Sequence, residues 1–208
     1  MGALYAIYEQ RVFPRALDFV LRRLGALRTE ALAETHGEVL ELGFGTGLNL
    51  PHYPPAVRRV TTVDPMDSLP RRVQARIDRA PFPVEVHHLR ADGELPFDVG
   101  RFDCAAFTWT LCSIPDPVAA LREVHRVLRP RGTLHFLEHT RSENPRVARW
   151  QNRWNPFQRF FACGCNVNRD MAEIIRAGGF SLVSCERFRL ERYPSIMAEM
   201  IQGVAVRS

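Results

Sequence analysis

The residues with the clearest chemical purpose stand between Val39 and Gly47 and read Val-Leu-Glu-Leu-Gly-Phe-Gly-Thr-Gly. An apolar run that breaks into alternating glycines lets a ligand approach bare backbone, because no side chain stands in the way. Such turns bind adenosine-containing ligands, either dinucleotides or S-adenosylmethionine. A dinucleotide turn needs glycine at its first, third and sixth positions, with the pyrophosphate resting on a helix N-terminus. Gly43 and Gly45 meet the first two requirements, but the sixth position is Leu48. The observed Gly43-x-Gly45-Thr46-Gly47, preceded by an acid at Glu41, suits a ligand without a pyrophosphate.

A second carboxylate follows at Asp64-Pro65, about twenty residues on, where an acid at a strand end can accept both hydroxyls of a ribose. An Asp before Pro also forms turns on its own account. Asp92 is placed to accept the adenine amino group, with the Gly93 backbone beside it. Glu94 competes for that role, and a plain solvated acid is the alternative for either. In an open α/β sheet ligands gather beyond the carboxyl ends of the strands. Thr108 and Leu111 therefore fall at the far end of the ligand. Trp109 and Cys112 belong there too, or in the core. His139, at another strand end, is the candidate for a base, or else bonds to the segment that follows it. His87-His88 is a weaker candidate.

Cys163-Gly164-Cys165 raises a metal or redox reading. With no His or further Cys at ligand spacing, no metal is expected. This segment, with Asn166, Asn168 and Arg169, is expected to wall an acceptor pocket. Tyr5 and Tyr8 either fold over the ligand as a lid or pack along a helix.

The elements needed to hold these residues alternate. Apolar positions within Val12–Leu27 recur at helical spacing, and strands are expected at Glu38–Leu42, Val57–Val63, Val84–Leu89, Phe102–Phe107 and Thr133–Leu137. Helices fall before about Asp78, over Asp116–Leu128 (closed by Pro130 and Gly132) and over Asp170–Ala177. Phe180–Leu190 and Ile196–Val206 close the pattern as strands. The expected fold is α/β, a Rossmann-like seven-stranded and mostly parallel sheet with helices on both faces, its last strand antiparallel. One domain, residues 1–208, is expected, with a helical segment over 1–30 and an inserted helix and loop over 143–168.

Composition narrows the function. The chain has 208 residues, 46% hydrophobic and 25% charged, as in an ordinary globular domain. Its net charge is +5, yet all 28 basic residues are Arg, dispersed among acids rather than gathered in a stripe. That distribution gives no support to nucleic-acid binding. The basic face of the first helix, Arg11, Arg15, Arg22 and Arg23, either touches a membrane surface or is simply solvated. The lack of Lys excludes a Walker A lysine and Schiff-base chemistry within the chain. Five cysteines without a framework spacing read as reduced thiols in the cytoplasm. Met1–Gln10 does not read as a signal peptide, and no apolar run is long enough to span a membrane.

With these residues read, the chain resembles a class I methyltransferase of a small bacterial type similar to the mammalian methyltransferase-like alkyl-thiol methyltransferases. The resemblance runs from about residue 38 to the C-terminus. It rests on Leu40 to Asn49, Val63-Asp64-Pro65, Phe102-Asp103, Thr108 to Ile114, Leu121 to Pro130, Phe136 to His139 and Gly164 to Arg169. Phe44 stands where the mammalian relatives carry Cys, and their hydrophobic anchoring segment has no counterpart in Met1–Gln10. The resemblance implies that Glu41, Gly43, Gly45 and Asp64 hold S-adenosylmethionine, with Thr108 beside it. It also implies methyl transfer to a small apolar acceptor such as a thiol. An acceptor that is a phospholipid amine or a quinone-type ring is the alternative. A nicotinamide enzyme or a non-catalytic nucleotide-binding module is the reading from another class, and Leu48 argues against the former.

Overall fold

A computed structural model describes residue 5, residues 8–66 and residues 69–208, with only the backbone of Glu9 and Arg11. The part of Arg11 in the expected basic face, and most of Met1–Gln10, therefore lie outside the described residues.

The chain opens with a short π-helical turn, Tyr8–Val12, then α1 (Phe13–Leu21), a 3-10 turn (Arg22–Leu24) and α2 (Gly25–Leu32). One continuous helix was expected here. The break falls at the Arg22–Leu24 turn, where the Leu24 backbone leaves the helical region (φ −97°, ψ 27°), and the helix restarts at Gly25, where a Cβ would sit 3.0 Å from the His52 ring. Alternation then follows: β1 (Gly37–Leu42), β2 (Val57–Val63), α3 (Pro70–Ile77), β3 (Val84–His87), β4 (Phe102–Thr108), α4 (Pro117–Val127) and β5 (Leu128–His139). The last third holds α5 (Pro145–Phe161), α6 (Met171–Ala177), β6 (Phe180–Arg189), α7 (Ser195–Ala198) and β7 (Glu199–Arg207).

All seven strands form one sheet in the order β3-β2-β1-β4-β5-β7-β6. The pairings among the first five are parallel, and β7 lies antiparallel to both β5 and β6. The expected Rossmann-like sheet with an antiparallel last strand is therefore present. The strand expected over Val84–Leu89 ends at His87, and two other boundaries shift further. Leu128 already pairs with Phe102, and the register then shifts so that Thr133 meets Cys104, which lengthens β5 beyond Thr133–Leu137. Ser195–Ala198 makes a helical turn after Pro194, so the strand expected from Ile196 begins at Glu199. A short apolar run alone does not separate a helical turn from a strand.

Side chains alternate across the sheet. Leu40, Leu42, Ala105 and Phe107 pack with Leu121, Val124 and Ile175 on one face. Val39, Cys104 and Ala106 pack with Leu32, Tyr53 and Phe82 on the other. Glu41 shares its face with Val39, since successive strand residues point to opposite sides. A carboxylate is thus carried inside, 1% exposed. No helix of the described residues is long and apolar enough to cross a membrane.

Candidate active site

Beyond the carboxyl ends of β1, β2, β4 and β5 lies a cavity of about 700 Å³. Its floor is the glycine turn. Gly43 has φ +80°, and a Cβ there would come within 2.0 Å of the Thr110 hydroxyl oxygen, so any side chain would collide with the segment after β4. Gly45 has φ +55° and lines the cavity, and a Cβ there would meet nothing within 4 Å. Gly47 packs against Phe44 instead and does not reach the cavity. Asp64 braces the turn: one carboxylate oxygen accepts from the Gly45 amide at 2.7 Å and the other from the Met66 amide at 2.9 Å. Burial raises its pKa, partly offset by these two bonds. Pro65 and Thr46 also line the wall.

Behind the turn is a buried polar cluster. Glu41 accepts from Asn49 Nδ2 at 2.9 Å and from the Tyr53 hydroxyl at 2.8 Å. Burial pushes its pKa up to about 7. The Arg28 guanidinium donates to Asn49 Oδ1 at 2.5 Å and to the Thr108 hydroxyl at 3.0 Å, and lies 4.7 Å over the Trp109 ring. Burial lowers its pKa to about 10. Arg28, Glu41, Thr108 and Trp109 all border the cavity. Arg28 Nε and Trp109 Nε1 are buried donors with no hydrogen-bond partner among the described residues. Trp109 also holds a left-handed backbone, φ 53°, a conformation that costs a non-glycine residue on the order of 1 kcal/mol or more.

The N-terminal segment forms the roof. Phe13, Leu17, Val20, Leu21 and Leu24, the apolar stripe read from the sequence, border the cavity, and of these only Leu21 is buried. Asp18 clamps this roof to the glycine turn, accepting from the Thr46 hydroxyl at 2.6 Å, Arg76 at 2.7 Å and Arg72 at 2.8 Å. Burial opposes the ionisation of Asp18, but the bonds from Arg76 and Thr46 win and hold its pKa low. Arg76 also donates to the Thr46 carbonyl at 2.5 Å. The hydroxyl of Tyr8 donates to the Phe161 carbonyl at 2.6 Å and that of Tyr5 to the Phe160 carbonyl at 3.0 Å, fastening the segment to the end of α5. Tyr8 borders the cavity; Tyr5 does not.

The opposite end is built by β4, β5 and the loop after α5. Glu138 faces away from solvent and accepts from the amides of Thr110, Leu111 and Cys112, at 2.7, 2.8 and 3.2 Å, knitting the turn after β4. His139 and Cys165 border the cavity. The Cys165 sulfur lies 3.5 Å from that of Cys112 and 3.6 Å from His139 Nδ1. The hydrogen bond from Cys112, and then the His139 ring, hold the Cys165 thiol well below its usual range, while Cys112 is held well above it. Burial alone would lower the pKa of His139, but the charge on Cys165 beside it raises it. No disulfide joins the five cysteines.

Other sequence candidates fall elsewhere. Leu111 is not at the cavity: its side chain is fully buried in the core, because the Glu138 bonds turn the chain inward there. Asn168 bonds Asn152 at the surface, and Arg169 donates to the carbonyls of Leu111, Cys112, Ile114 and Pro115, bracing the turn from behind rather than facing a ligand. Asp92 borders the cavity, paired with Arg90 at 2.8 Å, whereas Gly93 and Glu94 do not border it. His87 bonds Glu85, and neither His87 nor His88 borders the cavity.

Comparison with known proteins fits this arrangement. Residues 40–136 match the family model described as a methyltransferase domain. Human thiol S-methyltransferase TMT1A is 32% identical over 181 residues, 81% of this chain and 70% of the human protein. Human thiol S-methyltransferase TMT1B is 34% identical over 158 residues, 72% of this chain and 62% of that protein. The chain belongs to the class I S-adenosylmethionine-dependent methyltransferases. A solved structure of a Bacillus halodurans protein described as a putative methyltransferase superposes with a TM-score of 0.72 over 88% of this chain and 98% of that one, at 17% identity, and so shares the fold.

As a methyltransferase, the chain needs room for an adenosyl donor, and its own residues leave that room. Gly45 offers bare backbone facing open space, and Arg28 and Trp109, which border the same cavity, each carry a buried N–H without a partner among the described residues. Arg28, Asn49, Tyr53 and Asp18 carry this arrangement, and sequence reasoning missed all four. Asp18 did carry a signal, a charge between apolar Leu17 and Phe19 in a helical segment; Arg28, between Leu27 and Thr29, carried a weaker one. Asn49 and Tyr53, in the segment between β1 and β2, gave none.

Proposed function

We propose that the chain transfers a methyl group from S-adenosylmethionine to a small apolar thiol, with donor and acceptor lying end to end in one cavity. The single observation that carries this reading is the run of one apolar-walled cavity from Asp64 and Gly45 to His139 and Cys165. The names of the two human relatives point the same way.

When bound, the donor supplies an activated methyl group on a sulfonium whose thioether leaves readily. The chain's residues have the tasks of gripping, aligning and drying. Asp64 accepts from the ribose hydroxyls, Gly45 allows close approach, and Asp92 faces the adenine. Arg28 and the Trp109 indole N–H donate to the donor's carboxylate, which gives both orphaned groups a partner. Glu41 holds Asn49 and Tyr53, and through them Arg28 and Thr108. The α1 roof excludes water, and alignment of this kind can supply several kcal/mol. A thiol reacts as thiolate, and its ordinary pKa of about 8.5 leaves a useful fraction ionised near neutrality. His139 is the group placed to take the remaining proton.

A methyl-donor assay across thiols, amines and phenols, read by mass spectrometry, tests the reading. Methylation of apolar thiols is expected; methylation of an amine or phenol with no thiol product would refute it. One observation favours a lipid-borne acceptor as a second reading. The outer face of α5 exposes Trp150, Trp154, Phe157, Phe160 and Phe161 among Arg146, Arg149, Arg153 and Arg159, with no acid in the helix. Aromatic and basic side chains on one helix face suit an anionic membrane surface. Co-sedimentation with anionic liposomes at low salt, lost in Trp150→Glu/Phe157→Glu, is the expected result on that reading.

A further inference from the structure

Three ligand-type side chains converge at the acceptor end from separate parts of the chain. Cys112 comes from the turn after β4, His139 from the last position of β5 and Cys165 from the loop after α5. The two sulfurs are 3.5 Å apart, and His139 Nδ1 lies 3.6 Å from Cys165 and 3.9 Å from Cys112. Around a tetrahedral zinc ion, with Zn–S about 2.3 Å and Zn–N about 2.05 Å, such atoms would stand about 3.8 Å apart between sulfurs and about 3.6 Å between sulfur and nitrogen. Each edge of the observed triangle lies within about 0.3 Å of those dimensions.

We infer that Cys112, His139 and Cys165 form a binding site for a thiophilic divalent cation, zinc by preference, with its fourth position open to the acceptor cavity. The ligand set makes the choice of metal. Two sulfurs and an imidazole suit zinc and reject magnesium and calcium, which take oxygen. Three protein ligands with one open position is the arrangement of zinc sites that bind substrate, whereas purely structural sites are closed by a fourth side chain. Two thiolates also balance the cation's charge within a buried setting, where an unbalanced charge would be costly.

The surroundings hold the ligands in place before any ion arrives. The Cys112 amide donates to Glu138 at 3.2 Å. Its carbonyl accepts from the Asn166 amide at 3.0 Å, Asn166 Nδ2 at 3.1 Å and Arg169 at 3.0 Å. The Cys165 amide donates to the Ala162 carbonyl at 3.1 Å. Partners of this kind fix ligand orientation at metal sites. Arg169, which lies behind the turn rather than in the pocket, thereby acquires a purpose. Cation binding itself does not depend on the acceptor being a thiol. If it is one, its sulfur takes the fourth position and sheds its proton to solvent, and His139 serves as a ligand instead of a base.

The test is metal content and cobalt spectroscopy on the full chain, purified under reducing conditions, stripped with chelator and reloaded. About one zinc per chain is expected, with a sulfur-to-cobalt charge-transfer band on cobalt loading. Cys165→Ser and Cys112→Ser should lose the band and bind zinc at least about tenfold more weakly, while Cys185→Ser, remote on β6, should keep both. Binding of S-adenosylhomocysteine and the thermal transition of each variant show whether it is folded. Should the serine variants fail to fold, His139→Ala read in the same way replaces them. No zinc uptake by the reduced, folded protein, zinc uptake unchanged in Cys112→Ser/Cys165→Ser, or a Cys112–Cys165 disulfide in protein that takes up no zinc on reduction would each overturn the site. Thiol methylation by folded protein that takes up no zinc would sink the site and leave the proposed function standing; zinc uptake without any thiol product would do the reverse.

Discussion

The two ends of the cavity are made differently. At the proposed donor end, Glu41, Gly43 and Gly45 lie within five residues of one another, and Asp64 follows just past the end of the neighbouring parallel strand. At the acceptor end, Cys112, His139 and Cys165 are separated by 27, 26 and 53 residues. The donor end is a local backbone shape with few alternatives, since only glycine tolerates the positive φ and the close approach to Thr110. The acceptor end is an assembly of side chains that exists only once β4, β5 and the loop after α5 are brought together. A sheet of this order can keep its donor end fixed while the acceptor end is rebuilt by the segment after β5.

The largest effect should come from striking the local shape. Gly43→Ala places a methyl group against Thr110 and forces an unfavourable φ, and should cost at least about 2 kcal/mol of stability. Chemical denaturation would measure it; a loss below the error of the method would mean that the turn is not rigid. Arg28→Met comes next. It removes the donors offered to the ligand's carboxylate and should raise the donor's KM by roughly 10- to 100-fold, the range of one or two charged hydrogen bonds. An unchanged KM would remove Arg28 from the donor site.

A smaller effect is expected at the roof. Asp18→Asn keeps the size but drops the charge facing Arg72 and Arg76, and should lower stability by about 1 kcal/mol, discounted because both arginines are partly exposed. It should also raise the donor's KM while leaving kcat nearly unchanged. A fall in kcat alone would place Asp18 in a different role. The last effect is a pH dependence at Glu41, read as a difference between variants. Its folded pKa, about 7, exceeds its usual 4.5, so between those values the folded protein holds a proton that the unfolded chain has lost. Glu41 therefore stabilises most below about pH 4.5, and that contribution fades as pH rises to about 7. Glu41→Gln should gain thermal stability relative to the parent across this window and level off above it. The comparison must be made between variants, because His135 is held near 4 by burial and moves the parent's own curve in the opposite direction. A constant difference at all pH values would contradict the burial account of Glu41.

The same contrast explains what the sequence revealed. Strand β2 and helix α6 were legible, because their apolar spacing and end signals are local: Asp170 caps α6 by accepting from the Glu173 amide, and Gly178 ends it. The glycine turn and Asp64 were legible for the same reason. Arg28 was not, because its partners Asn49 and Thr108 lie 21 and 80 residues away. Leu111 was misplaced toward the cavity because the bonds that turn it inward come from Glu138, on another strand. The sequence sets Cys165 beside Cys163, while its neighbours in the fold are Cys112 and His139. Apolar periodicity registers which face a residue takes, and it is silent on which buried charges will meet.

The most direct test of the donor end, on which the rest depends, is isothermal titration of the purified protein with S-adenosylhomocysteine and, separately, with NAD. Saturable binding of S-adenosylhomocysteine, no heat with NAD and a loss of at least about tenfold in affinity in Asp64→Ala are the expected results, since one charged group gripping two hydroxyls is worth that much. Binding of NAD in preference, or no affinity for S-adenosylhomocysteine in folded protein, would contradict the account.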